Sequence, residues 1–155
     1  RALYDVYARF GAALAGDDAE AAKATVSELS AAFDTVDAGL LAEEQRNIWE
    51  SAQAVFADAL EAMGRAGSIE QLRAQLPELT RGLSQAIQSY GIAEGAPVYR
   101  AHCPMAFENT GADWLQPGTA LRNPYFGSMM LECGYITGRL DAPLDSMDHE
   151  GHAHE

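Results

Sequence analysis

At 155 residues the chain has the length of one domain, and an apolar fraction of 48% with abundant alanine suits a core of closely packed helices. Its 23 acidic and 10 basic residues leave a formal charge of −13, which repels a phosphate backbone, and no basic patch compensates, so nucleic acid is excluded as a partner. No apolar run is long enough for a membrane-spanning helix.

The chain opens RALYDVYARF, where Leu3, Val6, Tyr7, Phe10 and Leu14 recur at intervals of three and four. That spacing predicts a helix over Arg1–Ala15, stopped by Gly16. The opening residues hold no apolar leader and no initiator methionine, which fits a mature or trimmed chain and leaves the compartment unread. Asp17 with Glu20 reads as a capping box for a second helix from about Asp18 to Asp37. Ala22, Val26, Leu29, Phe33 and Val36 form its seam, and Gly39 ends it.

A third helix opens near Leu41 and carries Ile48, Ala52, Val55, Ala59 and Met63 on one rhythm, with Trp49 and Phe56 on an adjoining stripe. Ser68 and Gln71 form a capping box for the fourth. Its apolar face is Ile69, Leu72, Leu76, Leu79, Leu83, Ile87 and Tyr90. Pro77 removes a backbone donor inside this pattern, so a kink or split is expected near Gln75, and Gly91 closes the helix. The expected fold is mainly α: an up-down four-helix bundle over residues 1–95, then a long irregular sulfur-rich loop with a short two-stranded β pairing. Residues 1–140 form a single domain on this reading, and 141–155 a flexible acidic tail.

The pattern breaks after Gly95. Pro97–Arg100 and Gly134–Thr137 both read as short extended pieces. If they pair antiparallel, they bring together the ends of HCPMAFENTGADWLQPGTALRNPYFGSMMLEC, residues 102–133. This stretch contains both cysteines, three of the five methionines and one of the four histidines. A structureless loop of such length is normally functional or tied down, and Trp114, Leu115, Tyr125 and Phe126 are expected to pack it onto the bundle.

Cys103 and Met105 stand at i and i+2, which share a face in an extended backbone, and Pro104 restricts both its own φ and the residue before it. Met130 and Cys133 stand at i and i+3, which share a face in a helical turn, and Asn123-Pro124 is a plausible start for one. Met129 then faces another way. Four converging sulfurs, two thiolates and two thioethers, select Cu(I) and similar soft ions. Structural zinc does not take thioether, and calcium and magnesium require oxygen. His102 is a further imidazole donor or a neighbour of the site. Against these stand plainer readings: a structural Cys103–Cys133 disulfide, methionines in the core, and a hydrogen-bonded loop histidine. His149, His152 and His154 in the tail are either weak imidazole ligands or part of a solvated segment. No catalytic set stands out: there is no CxxC, no phosphate-binding glycine loop and no HExxH, so an enzyme is not expected.

HCPMAF, Gly111 with Trp114-Leu115, RNPYFG and MLECG together resemble a small domain of unknown function. That domain is found alone in bacterial envelope proteins or fused to CusB-type adaptors of heavy-metal efflux pumps. The resemblance runs over roughly Leu3 to Leu140 and is most specific over Tyr99–Gly134. It implies a periplasmic copper- or silver-binding role as chaperone, buffer or efflux accessory, with an efflux adaptor or another periplasmic copper protein as partner. The ligands that it implies are Cys103 and Met105 from the first motif and Met130 and Cys133 from the last. The competing function is a disulfide-stapled structural or docking module without a metal site of its own.

Overall fold

The computed structural model describes residues 1–36 and 42–141. Four helices come first: α1 (Ala2–Ala15), α2 (Ala19–Asp34), α3 (Glu43–Gly64) and α4 (Ile69–Tyr90). A three-stranded antiparallel sheet follows, made of β1 (Tyr99–Cys103), β2 (Ala112–Gln116) and β3 (Tyr135–Arg139) in the order β2-β1-β3. This is the expected helical bundle and loop, with one strand more than the sequence suggested.

Most residues of the predicted stripes build the helical core, but Val36 is exposed and Val26, Ile48 and Val55 are only half-buried. Phe10, Leu14, Leu29, Leu72, Leu76 and Leu79 are fully enclosed, and removing such side chains from water is the main favourable term in folding. Phe33 on α2 stacks on Phe56 of α3 with ring centroids 5.3 Å apart and meets Trp49 at 5.8 Å, so the adjoining stripe of α3 is core as well.

Three local expectations change. The cap of α2 is Asp18, which accepts from the Ala21 N–H at 3.0 Å, while Asp17 turns away with a positive φ of 56°. At the start of α4, Ser68 accepts from the Gln71 N–H, but the Gln71 side chain accepts from Gly67 rather than closing the box on Ser68. Pro77 does not split α4, which runs on to Tyr90. Leu76 and Leu79 are buried on either side of it, and their packing outweighs the lost hydrogen bond. The end of the second helix expected at Asp37, its stop at Gly39 and the start of the third at Leu41 lie outside the described residues, as does the tail from 142 with His149, His152 and His154.

A buried tether joins the sheet to the bundle. The Tyr7 hydroxyl on α1 lies 2.7 Å from Thr80 Oγ1 on α4 and accepts from the Leu115 N–H of β2 at 3.0 Å. Burial pushes its phenol up to about 12, so it stays a neutral donor and acceptor throughout the physiological range. Trp114, Leu115 and Tyr125 join the common core as expected, and Phe126 packs on its edge.

Candidate metal centre

The antiparallel pairing of β1 with β3 sets His102 against Tyr135 and Ala101 against Ile136, and so closes the loop at its neck. The two cysteines meet there as free thiols, with Sγ atoms 3.8 Å apart. Their approach depends on the residue after Cys133. Gly134 has φ 122°, and a Cβ at that position would overlap the carbonyl oxygen of His102. Only glycine lets the chain pass this close to β1.

Cys103 is wholly enclosed, facing inward from β1 like Ala101, while Cys133 is partly open to solvent. Burial first, then the hydrogen bond and charge of Cys103, push the Cys133 thiol up. That favours the protonated thiol at Cys133 in the metal-free protein. Binding of a metal displaces its proton, because the thiolate is the ligand.

The methionines divide. Met130 lines one open groove with Leu131, Glu132 and Cys133, and the Cys133 N–H donates to the Met130 carbonyl at 3.1 Å. The expected turn is there, but the helical part is a short 3₁₀ turn over Gly127–Met129, and Met130 itself leaves helical geometry with φ −149° and ψ 56°. Met129 is 83% exposed and points elsewhere. The extended backbone expected from Cys103 to Met105 stops at Cys103. Met105 has φ −94° and ψ −8°, so strand alternation does not set its side chain beside the thiol, and it is 45% exposed. The residues after it, Phe107, Glu108 and Asn109, all have positive φ, a left-handed turn that is costly outside glycine.

His102 lies one residue from Cys103 on β1 and so faces the other side of the strand. Its Nδ1 donates to Asp113 Oδ1 at 2.6 Å across the β1–β2 pair, and its ring lies tilted against Tyr135 at 5.6 Å. The sulfur pair and the histidine are thus separated by the sheet. Among the described residues no three His, Cys, Asp or Glu side chains converge as a metal site would require. The two thiols at the neck of the loop, with Met130 lining the groove beside Cys133, are the sulfur groups that the fold brings near one another.

A family comparison matches residues 3–95 to a protein family of unknown function, DUF3347. The chain belongs to this family. No curated protein and no solved structure matches it. The DUF3347 match spans the four helices and ends before β1, so both cysteines lie beyond it.

Side chains of the DUF3347 bundle nevertheless hold the sulfur segment in place. Arg73 on α4 donates to the carbonyls of Leu14 and Pro124 and to Asp17 Oδ1, each at 2.8 Å. Asp17 in turn accepts from the Ser128 N–H and hydroxyl. Those two bonds, with the Arg73 guanidinium beside them, hold its carboxyl down to about 2. Gly127, with φ 60°, runs so close to Asp17 that a Cβ there would overlap the carboxylate.

Asn123 is the residue that the sequence reading undervalued. It is fully buried. Its Nδ2 donates to the Cys133 carbonyl at 2.8 Å, and its Oδ1 accepts from the N–H groups of Tyr125 at 2.8 Å and Phe126 at 3.3 Å. Its own N–H donates to the Leu131 carbonyl at 2.7 Å. The signal available in the sequence was Asn before Pro, since asparagine side chains cap their own following backbone in turns.

Proposed function

We propose that this chain binds Cu(I), with Ag(I) as a competitor, in the bacterial periplasm, and serves as a copper chaperone, buffer or efflux accessory. Its role is capture and handover rather than catalysis. The observation that carries this reading is the pair of free thiols 3.8 Å apart at the neck of the loop, with Met130 in the groove beside Cys133. With metal–sulfur bonds of about 2.3 Å, that separation corresponds to a sulfur–metal–sulfur angle of roughly 111°. Such an angle is well short of linear, so it leaves room for a third donor, and Met130 is the nearest in sequence and groove.

In this reading Cys103 and Cys133 are the anionic ligands, and Cys103 is the buried anchor. Cys133 and Met130 form the open side through which the ion enters and leaves. Met105, on its exposed turn, is suited to the transfer step rather than to holding the ion. Thioethers need no deprotonation, so they remain donors at any physiological pH. His102 is occupied by Asp113 on the far side of the strand and takes no part. The receiving partner is an efflux-pump adaptor or another periplasmic copper protein, as the resemblance of the Cys-Pro-Met and Met-x-x-Cys segments implies.

A second reading has support from the same distance. A disulfide needs sulfurs about 2.05 Å apart, and the two thiols are near enough for oxidation to staple the loop into a docking module. An anaerobic titration of the reduced protein with Cu(I) against a chromogenic chelator separates the two. The copper reading predicts tight one-to-one binding that is lost in Cys103→Ser/Cys133→Ser. Failure of the reduced wild type to compete with the chelator would leave the disulfide module standing.

A further inference from the structure

On the other side of β1 from the thiols lies a groove of about 460 Å³ between α4 and the sheet. Arg81, Ser84, Gln85 and Gln88 line it from α4, at the i, i+3, i+4 and i+7 spacing of one helix face. Arg100 and His102 line it from β1, and Asp113 from β2. Its volume lies within the range of small-molecule sites.

Two groups in it have no partner among the described residues. The Ser84 hydroxyl is buried without a hydrogen bond among the described residues, and the residue is only 5% exposed. A hydroxyl in that position costs free energy until something pairs with it. Arg100 is half-buried, and its guanidinium makes no ion pair or hydrogen bond among the described residues. The other charges are engaged: Arg81 with Glu78 at 2.5 Å, and Asp113 with His102 at 2.6 Å. Ser84 makes no hydrogen bond to His102, so the set is a recognition surface and not a nucleophile with its base.

We propose that this groove binds the carboxylate of a small organic anion, with Arg100 as its anchor and the Ser84 hydroxyl as a second donor. A guanidinium fork matches a planar carboxylate through two parallel hydrogen bonds. Gln85 and Gln88 supply amides for the remainder of the molecule. In a chain of net charge −13, Arg100 is the groove's cation without an ion pair among the described residues, since Arg81 is held by Glu78. The surrounding negative field repels anions in proportion to their charge, a polyanion most, so the attraction here is the short-range one of Arg100. The site stands apart from the sulfur cluster, and its test does not depend on copper.

The experiment is a titration of the metal-free protein with succinate, followed by backbone amide NMR shifts, with inorganic phosphate as a parallel arm. Saturable shifts centred on Ser84 and Arg100 are expected, with phosphate binding at least tenfold more weakly. Arg100→Gln is expected to weaken succinate by tenfold or more. Ser84→Ala should raise the melting temperature of the ligand-free protein and still weaken succinate several-fold, a combination that a purely structural serine does not produce. Absence of saturable binding, or equal succinate affinity in Arg100→Gln, would overturn the site. Phosphate binding as tightly as succinate would overturn its assignment to carboxylates.

Discussion

Cys103→Ser is expected to weaken Cu(I) binding by more than about a hundredfold, whereas Met105→Leu weakens it by no more than about tenfold. Burial and charge set the difference. Even groups that only orient a ligand are worth about 10–100-fold in metal affinity, so loss of a ligand itself costs more than that. Cys103 is fully enclosed, and in the proposed site it would supply a negative sulfur to the cation in a place where water cannot take over. Met105 is nearly half exposed and neutral, and its backbone has already left the strand that positions Cys103. Losses measured by chelator competition should differ by at least tenfold. Equal losses would mean that Met105 is a full ligand and that the turn carrying it closes onto the thiols.

Asn123→Ala should destabilise the fold by about 3 kcal/mol and lower Cu(I) affinity by about 10–100-fold with both cysteines intact. The side chain makes three hydrogen bonds in a fully buried place. Truncation strands the Tyr125 N–H and the Cys133 carbonyl without partners, and each buried orphan costs about 1–3 kcal/mol. The loss of affinity follows from the Cys133 carbonyl, whose tether fixes one thiol against the other. Asn123→Asp separates the two effects, because it keeps an acceptor for Tyr125 and loses the donor to Cys133. Urea unfolding gives the stability change, and chelator competition gives the affinity. If Asn123→Asp and Asn123→Ala leave copper affinity unchanged, the tether does not position the thiol.

The helices were legible because their information is local. Leu72, Leu76, Leu79, Leu83 and Ile87 repeat at the helical period, and every one of them is buried on α4. The meeting of the cysteines was legible for a related reason, since Tyr99 to Arg100 and Tyr135 to Thr137 carry strand formers on both sides of the loop. β2 was not. Ala112-Asp113-Trp114-Leu115 has neither alternation nor a run of β-branched residues, and it becomes a strand through its cross-strand partners, His102 with Asp113 and Ala101 with Trp114.

The same holds for Asp17. As a sequence feature it is one of two acids before a helix, and the local rule gave it the cap. It is drawn off by Ser128, 111 residues away, and by Arg73, and neither contact leaves a trace in local pattern. In His102 the adjacency to Cys103 misleads. Neighbours on a strand face opposite ways, so His102 pairs with Asp113 on the side of β1 away from the Cys103 thiol.

X-ray absorption at the copper edge of the Cu(I)-loaded wild-type protein reads the donor set of the proposed site. A first shell of sulfur alone is expected, at about the 2.3 Å of metal–thiolate bonds and with more than two scatterers. A shell containing the ring pattern of imidazole nitrogen would contradict it. So would a preparation in which Cys103 and Cys133 remain chemically reactive beside the bound copper.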